Sequence, residues 1–163
     1  LKEYVTEQCG EAPGTEPFVS GQGITNIFNY FKDIKNIELT GELQEIANTP
    51  DDEKPALISK YSGTNSICKE IMKLFIAMYG RFAGSLSVIF MPVSGMYLAG
   101  GIVTKNEHLF VENNLFMNNF EKNYNPNIKP VLKKIPVYII KDYSISLYGA
   151  ANAVVTLLLK SEC

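Results

Sequence analysis

The 163-residue chain has 15 basic and 17 acidic side chains, a net charge of -2 and 46% hydrophobic residues, a composition that excludes a disordered tail and offers no basic block for a nucleic-acid backbone. Such a length suits one domain that buries roughly two-thirds of its unfolded surface. Cys9, Cys68 and Cys163 are too few and too scattered for a disulfide scaffold, and with His108 as the sole histidine no multi-histidine metal site can be built, so a reducing cytoplasmic setting is expected.

In chain order, residues 1–8 read as the tail of a helix and 9–15 as a loop punctuated by Gly10, Pro13 and Gly14. Lys2, Glu3 and Glu7 interrupt any apolar signal core. Glu16 then precedes Pro17-Phe18-Val19-Ser20-Gly21-Gln22-Gly23, and Ile24, Ile27, Phe28, Phe31 and Ile34 follow at helical spacing, with Ser20 as the N-cap. The positive end of that helix favours an anion or carboxylate, which draws attention to Glu16; alternatively Glu16 is an ordinary surface-loop acid. Thr40 is placed to cap a short helix carrying Leu43, Ile46 and Ala47. Asp51, Asp52, Glu53 and Lys54 read as a solvated helix start, with a divalent-ion site as the alternative, and a second short helix ends near Ser62-Gly63.

The longest helix is expected from about Asn65 to about Phe90, with Ile67, Ile71, Leu74, Phe75, Met78 and Phe82 as its apolar stripe. Beyond Arg81 it turns apolar all round, so Arg81 is expected among buried neighbours with a carboxylate or carbonyl partner. Gly80 and Gly84 thin one face for close packing, which offsets the usual cost of helical glycine, about 1 kcal/mol. Met96 to Ala99 have the length of a fully buried strand, and Gly100-Gly101 strip side chains from its carboxyl end, where open α/β sheets receive ligands. That turn either admits a flat or anionic ligand against its backbone or is simply a tight strand-to-helix connection. No charge occurs from Phe82 to Thr104, a span long enough for a bilayer, but Pro92, Gly95, Gly100 and Gly101 break it, and a buried helix end followed by a strand explains it without a membrane.

Residues 107–113 and 115–121 read as two short helices, with Phe116 and Phe120 stacked four apart and His108 on a helix surface. Residues 122–134 read as a polar loop whose Lys129, Lys133 and Lys134 are solvated. Residues 136–140 read as a second buried strand with proline only at its start, and residues 147–159 as the last helix. This alternation predicts an α/β layer with two parallel strands joined by a right-handed crossover.

Six segments together resemble one family, the bacterial-type glucokinases of the hexokinase, actin-like superfamily. They are EPFVSGQGI (16–24), YGRFAGS (79–85), GMYLAGGIVTK (95–105), FMNNFEK (116–122), IPVYII (135–140) and LYGAA (147–151). The resemblance runs from about Glu16 to about Val155. It implies a ribonuclease H-like (actin-like ATPase) large-domain fragment, a single domain matching the carboxyl-terminal half of a glucokinase. The family's phosphate loops, general-base aspartate and Glu-Gly-Gly-His sugar element lie upstream of the Glu16 segment; the chain has neither an Asp-Gly-Gly-Thr run nor a Glu-x-x-His pair, so no catalytic residue and no metal ligand can be named in it.

By matched position, Glu16 corresponds to a glutamate that accepts hydrogen bonds from glucose, and Gly100, Gly101 and Ile102 fall in the adenosine motif against which the nucleoside of ATP lies. Gly149 reads as structural. Gln22 and Thr104-Lys105 depart from the family's usual proline positions and put only local loop geometry in doubt. The implied activity of the intact protein is phosphorylation of glucose by ATP with Mg2+, in the cytoplasm and without nucleic-acid or membrane partners; a homodimer is a candidate assembly. Two rivals remain: a non-catalytic sugar-sensing member of the superfamily, and a stand-alone interaction module.

Overall fold

The computed structural model describes residues 1–142 and 144–161; Cys163 lies outside them. Helix α1 (Lys2–Cys9) ends at Gly10 in the left-handed region, and a one-turn helix α2 (Glu16–Val19) leads into α3 (Gly21–Asp33). Helices α4 (Glu42–Asn48) and α5 (Lys54–Tyr61) form an antechamber to the long α6 (Ser66–Phe90). Strand β1 (Met96–Leu98) is followed by α7 (Gly101–Lys105), α8 (Glu107–Val111), a 3₁₀ turn and α9 (Leu115–Phe120), and then by α10 (Lys129–Leu132), strand β2 (Val137–Ile139) and α11 (Ile145–Ser161).

Helix α6 is the axis of the molecule. Asn65 starts it: the side-chain oxygen accepts from the amides of Ile67 (3.0 Å) and Cys68 (3.2 Å), satisfying two donors that the first turn would otherwise leave orphaned. Met91 closes it in the left-handed conformation (φ 45°), and Pro92 prevents continuation. Ile71, Met72, Phe75 and Ile76 are all buried, and the helix packs on α3 and α5. On another face Gly80 and Gly84 let α9 lie backbone to backbone: a Cβ on Gly80 would sit 2.6 Å from the Phe116 carbonyl oxygen, and one on Gly84 2.2 Å from that of Phe120. Tyr79 stacks on Phe75 and meets Phe110 and Phe116 edge-on, so the two helices are joined through an aromatic cluster.

The strands pair in parallel, with Met96, Tyr97 and Leu98 opposite Val137, Tyr138 and Ile139. The Met96 amide donates to the Pro136 carbonyl and the Ile140 amide to the Leu98 carbonyl, each at 2.8 Å. Leu98, Val137 and Ile139 share a small cavity with Phe110 and Met117, which places that side of the sheet on α8 and α9. Tyr97 and Tyr138 point the other way and stack at 5.2 Å.

Several expectations need correction. The strands are half-buried, not fully buried: Tyr97 is 57% exposed, because nothing covers the outer face of the sheet among the described residues. The buried face of α6 is rotated from the expected stripe, since Cys68, Met72 and Ile76 are inside while Ile67, Leu74, Met78 and Phe82 are only partly covered. Arg81 is exposed, and Ile89 and Phe90 are about 70% exposed, so the end of α6 is not central. Gly41, with φ 52°, stands at the N-cap of α4, and Thr40 contributes only its carbonyl to Leu43. Ile34 ends α3 facing solvent, and the expected polar loop 122–134 contains α10, which buries Leu132. The charge-free run 82–104 is a helix end, a turn, a strand and the start of α7. Among the described residues one helix, α6, is long and apolar enough to cross a bilayer, and its buried face belongs to the core.

Candidate functional site

The segment ahead of α3 is folded tightly by short-range bonds. The Phe18 amide donates to the Thr15 carbonyl (3.0 Å), closing α2 as a single turn that begins with Glu16 and Pro17. Ser20 is extended (φ -118°), breaks α2 from α3, and caps α3 by accepting from the Gly23 amide at 3.3 Å. The capping role expected of Ser20 is therefore present. Asn26, one turn into α3, donates to the Pro17 carbonyl at 3.0 Å. Gly23 is needed for this corner: a Cβ there would lie 2.5 Å from the carbonyl carbon of Phe18. The corner presents Glu16 to solvent, and among the described residues its carboxylate has no hydrogen-bond or ion-pair partner.

The second element is the strand-to-helix turn. Gly100 has φ 108° and ψ 165°, a combination open essentially to glycine alone, and it caps α7. Its carbonyl accepts from both the amide (3.1 Å) and the hydroxyl (3.0 Å) of Thr104. A Cβ on Gly100 would meet nothing within 4 Å, so the backbone demands glycine while the space beside it stays open.

These two elements are neighbours. A cavity of about 470 Å³ has Gly21 and Ile24 of α3 on one wall, Gly101, Ile102 and Asn106 around α7 on another, and Asp52 and Ser59 on a third. A smaller one of about 110 Å³ brings Val19 against Ala99, Gly100, Gly101 and Ile102, with Phe75 and Tyr79 behind; burial pushes the Tyr79 hydroxyl above its ordinary pKa. The structure thus gathers Gly100, Gly101 and Ile102 beside the start of α3, whereas Glu16 sits at the outer corner of that same segment.

Sequence reasoning missed the polar frame of the larger cavity. The Ser59 hydroxyl donates to the Asn106 side-chain oxygen at 2.6 Å, and the Asn106 amide nitrogen donates to the Ile102 carbonyl at 2.8 Å, so one buried side chain ties α5 to α7. Thr25, fully buried, donates to the Asp51 carbonyl at 2.8 Å. Lys54, expected in solvent, is 7% exposed and pairs with Asp51, its ammonium 5.9 Å from the Phe28 ring centre. Among the described residues no three His, Cys, Asp or Glu side chains gather to hold a metal ion. Arg81 edges a separate open cavity with Thr15, Phe18, Met78 and Asn119.

The family model for glucokinase matches residues 2–157 of the chain. The chain belongs to the glucokinase family. It is 33% identical over 162 residues to a glucokinase from Nostoc sp., covering 93% of this chain and 46% of that protein, and 29% identical over 139 residues to one from Photorhabdus laumondii, covering 84% and 39%. The crystal structure of a glucokinase from an Antarctic psychrotroph superposes with a TM-score of 0.69 at 20% identity, over 91% of this chain and 42% of that one, and so shares its fold. The chain therefore spans about half the length of the glucokinases it matches.

Proposed function

We propose that this chain is the carboxyl-terminal, large-domain half of an actin-like, ribonuclease H-like kinase that transfers the γ-phosphoryl group of ATP to glucose. The observation that carries the reading is the shared cavity: the segment that follows Glu16 and the glycine turn at Gly100–Ile102 wall one space, as a two-substrate site requires. Glu16 offers two strong acceptors to vicinal sugar hydroxyls, and no donor on it competes with them. Gly100 and Gly101 leave room for a nucleoside to lie on the backbone, with Ile102 as an apolar contact, and the dimensions of the cavity suit such a ligand. Phosphoryl transfer of this kind rests on positioning, and positioning is what these residues supply. Magnesium, which the reading implies, finds no ligand set among the described residues of this chain.

The test is Glu16→Gln in the full-length protein. Loss of charge-assisted bonds to a hydroxyl costs roughly 1.5 to 3 kcal/mol, so kcat/KM for glucose should fall about ten- to a hundred-fold while KM for ATP stays unchanged. A lower melting temperature with unchanged glucose efficiency would instead make Glu16 a structural acid and remove the sugar-site assignment.

A further inference from the structure

Tyr79 is the one tyrosine in a cluster otherwise made of phenylalanines. It stacks on Phe75 at 5.9 Å and meets the Phe110 and Phe116 rings edge-on at 5.7 and 6.1 Å, so three neighbours hold its ring in one orientation. A phenylalanine would serve that packing equally well. What tyrosine adds is a hydroxyl, and a phenol taken out of water ordinarily finds a hydrogen-bond partner. Among the described residues this one has none.

The hydroxyl is nevertheless not sealed into the core. Among the described residues the enclosed side-chain polar atoms without a partner are Asn29 Oδ1 and Ser87 Oγ, and the tyrosine oxygen is not one of them. Tyr79 lines the cavity of about 110 Å³ at the glycine turn, together with Gly100, Gly101 and Ile102. Every other residue around that space is apolar or glycine, so the phenol is its single side-chain hydrogen-bonding group. At about 30 Å³ per water the space is too small for a whole nucleoside and large enough for one polar group of a nucleotide. Burial holds the proton on the phenol above its ordinary pKa, which keeps it a neutral donor.

We propose that Tyr79 contacts the nucleotide: its hydroxyl donates a hydrogen bond to a ribose or phosphate oxygen of a nucleotide whose nucleoside lies on the Gly100–Ile102 turn. This rests on the reading of that turn as a nucleotide site and adds the side chain that orients the ligand there. Glycine leaves room for a ligand but offers no side chain to choose among its orientations. A single donor at a fixed point does choose, because such a site gains specificity from a few well-placed polar groups. The ring is already clamped by its neighbours, so little rotamer freedom is lost when the bond forms.

Tyr79→Phe in the full-length protein removes the hydroxyl and keeps the ring with its packing. Calorimetric titration with ADP, AMP and adenosine then reads the contact directly. Kd for ADP should rise about ten-fold or more, while KM for glucose and the melting temperature stay as in the parent protein. A phosphate acceptor confines that loss to the ligands that carry phosphate, and a ribose acceptor extends it to adenosine. Unchanged affinity for ADP, whatever the melting temperature does, would overturn the inference and leave the nucleotide turn standing. Equal weakening toward ADP and glucose in a variant that melts lower would overturn it too, because the hydroxyl would then support the fold and not the ligand. If the parent protein binds no adenine nucleotide at all, the reading of the turn fails and this inference fails with it.

Discussion

Gly100 is fixed by its own dihedrals and not by its neighbours, which separates two effects that a substitution would otherwise mix. With φ at 108° and no atom within 4 Å of a built Cβ, Gly100→Ala should cost about 1 to 3 kcal/mol of stability from backbone strain, and Gly100→Val about the same. Urea unfolding of both variants measures that common loss. If the nucleoside lies on this turn, KM for ATP in the full-length protein should rise further from alanine to valine although stability does not; a parallel fall in both would mark a purely conformational glycine. Cys68 gives the fold a pH dependence. Burial, with the charge of Glu42 added, pushes its thiol from the ordinary 9.0 up to about 11. Tyr4, desolvated and donating to Asp33 at 2.6 Å, is raised to about 12. Groups whose proton is held more tightly in the folded state stabilise it fully below their ordinary values and withdraw that support as pH rises through the folded values. Stability should therefore decline from about pH 9 upward, and Cys68→Ala should flatten the first part of that decline. The same burial predicts that a thiol reagent labels exposed Cys9 quickly and Cys68 only as the protein opens.

At the scale of elements, the contact between α6 and α9 is the one most exposed to a single added methyl. The carbonyl oxygen of Phe120 lies 2.2 Å from where a Cβ on Gly84 would stand, and a backbone oxygen cannot rotate aside as a side chain can. Gly84→Ala should then destabilise by about 1 to 3 kcal/mol despite the better helix propensity of alanine. The equivalent change at exposed Gly149, where a Cβ meets nothing, should stabilise α11 by up to about 1 kcal/mol. Thermal melts of the two variants should move in opposite directions. The glycine pair and the Ser20 cap were legible in the sequence because each is read from residues close together in the chain, and the parallel order of the strands because helices and strands alternate along it. Tyr97, Arg81 and Phe90 were misplaced for one reason: periodicity tells which residues of an element are apolar, not whether another part of the protein is present to cover them. Asn106 was missed because a lone amide between Lys105 and Glu107 looks like surface, and only the fold brings Ser59 to it.

For the whole molecule, the family resemblance carried what composition could not. The fold sets Gly100, Gly101 and Ile102 beside the start of α3, with Glu16 exposed at the outer corner of that segment. The sequence of 163 residues contains no Asp-Gly-Gly-Thr run and no Glu-x-x-His pair, the motifs by which the proposed reading would recognise the phosphate loop and the sugar element. The 163-residue chain alone should accordingly form no glucose 6-phosphate from ATP and glucose. A coupled assay at high protein concentration checks this, and clear turnover would mean that the chemistry has a base within these residues.

The Asn106 strut also sets how far the larger cavity can stretch. Its opposite walls, α5 and α7, are held by the 2.6 Å bond from Ser59 to Asn106, whose side chain a 2.8 Å bond to the Ile102 carbonyl locks in place and which is only 3% exposed. Widening the gap means breaking the first bond away from water, at about 1 to 3 kcal/mol for the group left unsatisfied. The cavity thus behaves as a stiff calliper: a guest slightly too thick loses about ten-fold or more in affinity without touching any atom that repels it.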